Sequence, residues 1–141
     1  MSRAAFFEAL VADPTLNGYG INDETVFHNW SAEERPTNAT PFIILRWGEE
    51  AKPLWGSEVE RGPRQLVVWV HWPAEVTNDF DKINVVLDQI DVVARDLRDV
   101  PGSDGYTLSF VEVGGRSPDL TDDGFNTIMR TGSYSVYSVP S

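Results

Sequence analysis

The densest group of potentially reactive side chains in this 141-residue sequence is Asp119, Asp122 and Asp123, three carboxylates within five residues, closed by Gly124. Carboxylates so spaced can hold a hard cation through oxygen. A calcium loop, however, needs an Asp-x-Asp-x-Asp-Gly register and a distal bidentate Glu, and both are missing. The same residues suit turn chemistry, in which Asp caps the turn and a following glycine takes a left-handed backbone. Turn chemistry is the expectation here, with Gly124 as the left-handed residue.

The other reactive types are scattered. His28 and His71 are the two histidines, and no His-x-x-x-His spacing supports zinc. His71 lies in a strand-like run, so its ring is expected against a sheet face; His28 lies in a loop-like region. Ser117 lacks the Gly-x-Ser-x-Gly context of a nucleophile elbow. Gly18-Tyr19-Gly20 and Gly114-Gly115 lack the spacing of phosphate-cradling loops. Glu33-Glu34 and Glu49-Glu50 read as solvated pairs, and nothing selects two carboxylates for glycoside cleavage. The absence of cysteine removes disulfides, thiolate metal sites and a Cys nucleophile together. No catalytic residue, cofactor site or metal site is expected.

The elements that must position these residues follow from periodicity. Arg3 to Ala12 reads as a short helix capped by Ser2, with Phe6, Ala9 and Leu10 at helical spacing and Asp13-Pro14 as its stop. Residues 15–40 read as a long connection with a weak strand signal near Thr25–Trp30. Pro41 to Trp47 reads as a strand, and Gly48 to Arg64 as irregular. Gln65 to Trp72 is the strongest strand, with Leu66, Val68, Val70 and Trp72 on one face and Val67, Trp69 and His71 on the other. Both faces being apolar, it should be central and covered on both sides, or completed by a neighbouring subunit. Asn78 to Asp99 reads as a helix capped by Asn78, with Phe80, Ile83, Val86, Leu87, Ile90, Val93, Ala94 and Leu97 in one stripe. Val100-Pro101-Gly102 ends it. Tyr106 to Val113 follows as a strand with Tyr106, Leu108 and Phe110 on one face. Thr127 to Val139 closes the order, with Gly132 as a bulge or bend. The expected fold is α+β: a mixed or antiparallel sheet of about four strands, helix 78–99 across one face, and a short N-terminal helix, all in a single domain spanning residues 1–141.

Composition bounds the function classes. An apolar content of 41% supports a folded chain. The start lacks the pattern of a signal peptide, and no apolar run approaches the ~20 residues of a membrane span. The net charge is −11, with ten acids against four bases in residues 1–60 and twelve against seven in 61–141. A surface so acidic throughout repels phosphate and disfavours tight nucleic-acid binding. It serves solubility, or a lumen through which DNA slides without sticking. Five tryptophans exceed what the core needs. Trp55, between Pro53 and Gly56, is the most exposed candidate, either at an interface or covering a core edge.

Three stretches together resemble the tail terminator proteins of long-tailed bacteriophages, especially those of actinobacterial hosts. They are Gly62-Pro63-Arg64-Gln65-Leu66-Val67-Val68-Trp69-Val70-His71, the helix segment Phe80-Asp81-Lys82-Ile83, and the loop from Gly115-Arg116-Ser117-Pro118-Asp119 to Gly124-Phe125. Arg130 and the closing Tyr134-Ser135-Val136 strand belong to the same pattern. The likeness covers most of the chain and is looser over the first 60 residues. It implies a small non-enzymatic subunit of the virion, assembled in the host cytoplasm. Such a subunit forms a ring, usually a hexamer, at the head-proximal end of the tail. The ring caps the tail tube, ends its polymerisation and meets the head-tail connector, while DNA passes through the lumen. Candidate contact residues are Arg116, Asp119, Asp122, Asp123 and Arg130, with Arg64 and Trp55 second. Arg116 or Arg130 could pair with the loop carboxylates across the ring. Two other readings stand beside it: a head-tail connector or neck protein of related fold, and a small metal- or ligand-binding hydrolase-like domain using the Asp119–Asp123 loop.

Overall fold

The structure is a computed structural model that describes residues 3–28, 40–50 (backbone alone at 49 and 50), 63–74, 76–124 and 126–140. Helix α1 (Ala4–Ala12) is followed by α2 (Pro14–Gly18), β1 (Val26–His28), β2 (Phe42–Glu50), β3 (Arg64–Pro73), helix α3 (Phe80–Asp96), β4 (Val100–Pro101), β5 (Tyr106–Arg116), β6 (Leu120–Asp122) and β7 (Thr127–Pro140). The strands make one seven-stranded sheet in the order β1-β2-β3-β7-β5-β4, with β6 also pairing β7. β1 runs parallel to β2; every other pairing is antiparallel.

The sheet is therefore mixed, as expected, but larger than four strands. The additional strands β1, β4 and β6 are two or three residues long. Segments that short carry no periodicity, so pairing with a longer neighbour makes them strands. β1 occupies part of the stretch read as a connection, and β4 occupies Val100-Pro101, read as a helix terminator. Asp13-Pro14 does stop α1, yet it also starts α2: the Asp13 side chain accepts a hydrogen bond from the Leu16 N–H at 2.9 Å, and Pro14 suits the first helical position.

α3 starts two residues later and ends three residues earlier than the 78–99 expectation. Asp79, not Asn78, is its N-cap, its carboxylate accepting from the Asp81 N–H at 3.0 Å. The anticipated apolar stripe is buried from Ile83 to Ala94, against the sheet face formed by Ile43, Leu45, Trp47, Leu66, Val68, Val70, Leu108, Val111, Ile128, Tyr134 and Val136. α1 closes one end of this core with Phe6 and Leu10. Ser2 lies outside the described residues; instead the Asp104 carboxylate, from the turn before β5, accepts from the N–H groups of Arg3 and Ala4 at 3.0 and 3.3 Å.

Two details of the strands differ from the sequence reading. Phe110 does not share a face with Leu108. The β5–β7 register shifts between Leu108 and Phe110, so Val111 enters the core and Phe110 stacks on Tyr137 at 4.3 Å on the opposite face. Gly132 is no bulge: it pairs in register with Val68 in β3, and the irregularity lies in β5 opposite it, between Val113 and Arg116.

β3 is central, between β2 and β7, and its second apolar face is covered in part. Phe27, Phe42 and Ile44 are buried there with Trp69 against them, and His71 is fully buried. The His71 ring stacks on Phe42 at 4.6 Å, and its Nδ1 lies 2.8 Å from the Thr127 hydroxyl. Val67 and Trp69 on this face are half-buried among the described residues.

A loop latched to the long helix: the candidate functional site

The site is built on polar positions of α3. Asn84, Asp88 and Asp91 recur at spacings of four and three, so they line one side of the helix. Asp91 lies beside Ile90, within the apolar stripe, and is 8% exposed. A carboxylate so placed requires partners, because an unpaired buried charge is costly. It has two. The Tyr134 hydroxyl donates to Oδ1 at 2.5 Å, and Arg116 Nη2 donates to Oδ2 at 2.7 Å. Arg116 Nη2 also lies 2.7 Å from Asp88 Oδ1.

Tyr134 reaches Asp91 because Gly132 leaves room: a Cβ there would stand 3.0 Å from the tyrosine oxygen and 3.3 Å from Leu87 Cδ2. Burial, then the hydrogen bond and charge of Asp91, push the Tyr134 pKa above its ordinary value. Burial of the Arg116 guanidinium would lower its pKa, but the bonds and charges of Asp88 and Asp91 outweigh this and raise it.

A second latch holds the continuing loop. Arg130 donates through Nε and Nη2 to the Ser117 carbonyl at 3.0 and 2.9 Å, and through Nη1 to Asn84 Oδ1. Its Nε is 3.5 Å from Asp119 Oδ1. Ser117 extends the ladder to β7, its N–H donating to the Thr131 carbonyl and its Oγ accepting from the Thr131 N–H. Residues 116–119 are in this way tied to both the sheet and α3.

The predicted residues thus sort into distinct roles. Arg116 and Arg130 are brought together with carboxylates, but inside one chain: Arg116 with Asp88 and Asp91, which sequence reading missed, and Arg130 with Asp119. Both guanidiniums thus have carboxylate partners within the subunit itself. Asp122 does cap a turn, accepting from the Gly124 N–H at 2.9 Å, while the left-handed residue is Asn126 (φ 54°), not Gly124. Asp123 is exposed, and the Asp119 side chain is 58% exposed. Arg64 lies elsewhere, at the β2–β3 end, donating to the Gly48 carbonyl at 3.0 Å with its guanidinium 5.9 Å from the Trp47 ring centre. Trp55, Trp30 and Glu33-Glu34 lie outside the described residues, as do the side chains of Glu49-Glu50. His28 sits in β1, its ring 4.7 Å from Phe7; burial and then the Arg3 charge lower its pKa.

The arrangement fixes a surface and offers no nucleophile with a base. Ser117 Oγ bonds backbone groups alone among the described residues, and His71 is stacked in the sheet. Among the described residues no three His, Cys, Asp or Glu side chains group to hold a metal ion, and no helix is long and apolar enough to cross a membrane. Compared with models of known protein families and with curated proteins, the chain matches none.

Proposed function

We propose that this chain is a structural subunit of a phage virion, a tail terminator that assembles as a ring, expected hexameric, on the end of the tail tube. One observation supports the reading beside the sequence resemblance: residues 116–119 are latched to α3 and the sheet through two arginines, and the loop they begin presents Asp119 and Asp123 outward. A loop held this rigidly, with its carboxylates facing solvent, suits recognition of a protein surface, because little ordering entropy remains to be lost on contact. Its partners are further copies of the chain, the tail tube protein and the head-tail connector, with DNA crossing an acidic lumen unbound. The latches position the loop, and Asp119, Asp122 and Asp123 meet the neighbour.

The test is negative-stain electron microscopy of the purified protein alone and mixed with tail tubes. Rings at tube ends that disappear in an Asp119→Lys, Asp123→Lys variant of unchanged circular dichroism are the expected result. A folded wild-type protein that leaves tubes uncapped overturns the reading.

A further inference from the structure

Asn17-Gly18 is the one Asn-Gly dipeptide of the chain, and it closes α2. Asn17, Gly18 and Tyr19 are exposed, while Leu16 beside them is fully buried. The Asn17 amide nitrogen, turned to the carbonyls it faces, donates to Val11 at 3.0 Å and to Ile21 at 2.8 Å. It thereby ties the end of α1 to the segment that leads into β1. The backbone of this corner turns on the same residue. The Asn17 N–H donates to the Asp13 carbonyl, and the Asn17 and Leu16 carbonyls accept from Gly20 and Ile21, each at 3.0 Å.

We propose that Asn17 is a site of covalent modification, converted to aspartate and isoaspartate through opening of α2, and that the product cannot rebuild the corner. The Gly18 backbone nitrogen attacks Asn17 Cγ. A carbon–nitrogen bond closes a cyclic succinimide, the bond to the amide nitrogen breaks, and ammonia leaves with the Gly18 proton. Water then opens the ring at either carbonyl, giving aspartate or isoaspartate. Gly18 has no side chain to crowd the ring, and the space its Cβ would enter is open to 4 Å. The folded corner opposes the attack. Helical side chains lean back toward the N-terminus, so Asn17 Cγ is held away from the following nitrogen, and two carbonyls hold its amide. Opening of α2 removes both restraints. A helix of five residues has little stability of its own. It depends on the Asp13 cap, whose Oδ2 accepts from the Leu16 N–H at 2.9 Å and from Gln89 Nε2 at 3.2 Å. Refolding does not undo the conversion. An aspartate at position 17 presents acceptors alone to the Val11 and Ile21 carbonyls, and isoaspartate also lengthens the main chain. Both donated bonds are lost, and α2 opens more readily.

The full chain is held at mildly alkaline pH and mapped by mass spectrometry, with isoaspartyl methyltransferase labelling of the product. Wild type should acquire the amide-to-acid mass gain at Asn17, with isoaspartate present, and unfolding in urea should speed the reaction. Asp13→Ala should raise the rate about fivefold, the change that loss of one helix cap makes to an opening equilibrium. In Asn17→Asp, hydrogen exchange of the Gly20 and Ile21 amides should quicken by about fivefold or more, as expected from lost hydrogen bonds. No product at Asn17 in folded wild type, conversion as fast folded as in urea, an unchanged rate in Asp13→Ala, or unchanged exchange in Asn17→Asp overturns the proposal. The wild-type and Asn17→Asp readouts stand even if Asp13→Ala folds poorly.

Discussion

Replacing Tyr134 with phenylalanine removes one oxygen from a buried polar junction. Tyr134 is 1% exposed, and its hydroxyl is 2.5 Å from Asp91 Oδ1. Phenylalanine keeps the ring and its packing against Phe6, 5.9 Å away, so the change isolates the hydrogen bond. A bond to a charged group contributes about 1.5–3 kcal/mol, and its loss leaves a carboxylate oxygen of Asp91 buried without that donor. Thermal unfolding should record a drop of roughly 5–10 °C for a domain of this size. The pH dependence supplies a second signature. The Tyr134 pKa is raised in the folded protein, so the neutral hydroxyl contributes stability that is fully present below the ordinary tyrosine value of 10.0 and is lost as pH rises beyond it. Wild-type stability should fall above pH 10.0, and Tyr134→Phe should flatten that fall. Calorimetric scans from neutral pH to above pH 10.0 measure both. A Tyr134→Phe protein within about 1 °C of wild type at neutral pH refutes the junction as a stabilising element.

Other consequences follow from the same geometry. Gly132→Ala drives a methyl against the Tyr134 oxygen and Leu87, and because Asp91 pins that ring the expected loss is about 1–3 kcal/mol by denaturant titration. Asp104→Ala leaves the Arg3, Ala4 and Tyr106 N–H groups without this acceptor and should cost about 1 kcal/mol, with exchange faster in α1 and at Tyr106, whereas Asp104→Asn should retain most of the stability. The His28 pKa is lowered in the fold, so its contribution is present above the ordinary value of 6.5 and lost as pH falls below it; His28→Gln should flatten the stability profile on the acid side.

The apolar alternation of β3, the stripe along α3 and the strands around β5 and β7 were legible in the chain, since each is long enough for its own period to exceed local noise. The turn role of Asp122 was legible as well, because a carboxylate two residues before a glycine acts on its own backbone. The short strands β4 and β6 were not, since segments of two or three residues carry no period of their own, and β1 left only the weak signal near Thr25–Trp30. Asp91 left a trace, a charge among Leu87, Ile90 and Ala94, but its partners Arg116 and Tyr134 stand 25 and 43 residues away. The arginines were picked out by type, and the neighbour each one meets was set by the register of β5 on β7 and by the side of α3 laid over it. Sequence by itself determined which segments bury a face and which residues carry charge, because those properties repeat within a few residues. Which charge neutralises which is a matter of three-dimensional distance, and packing of the helix on the sheet decided it.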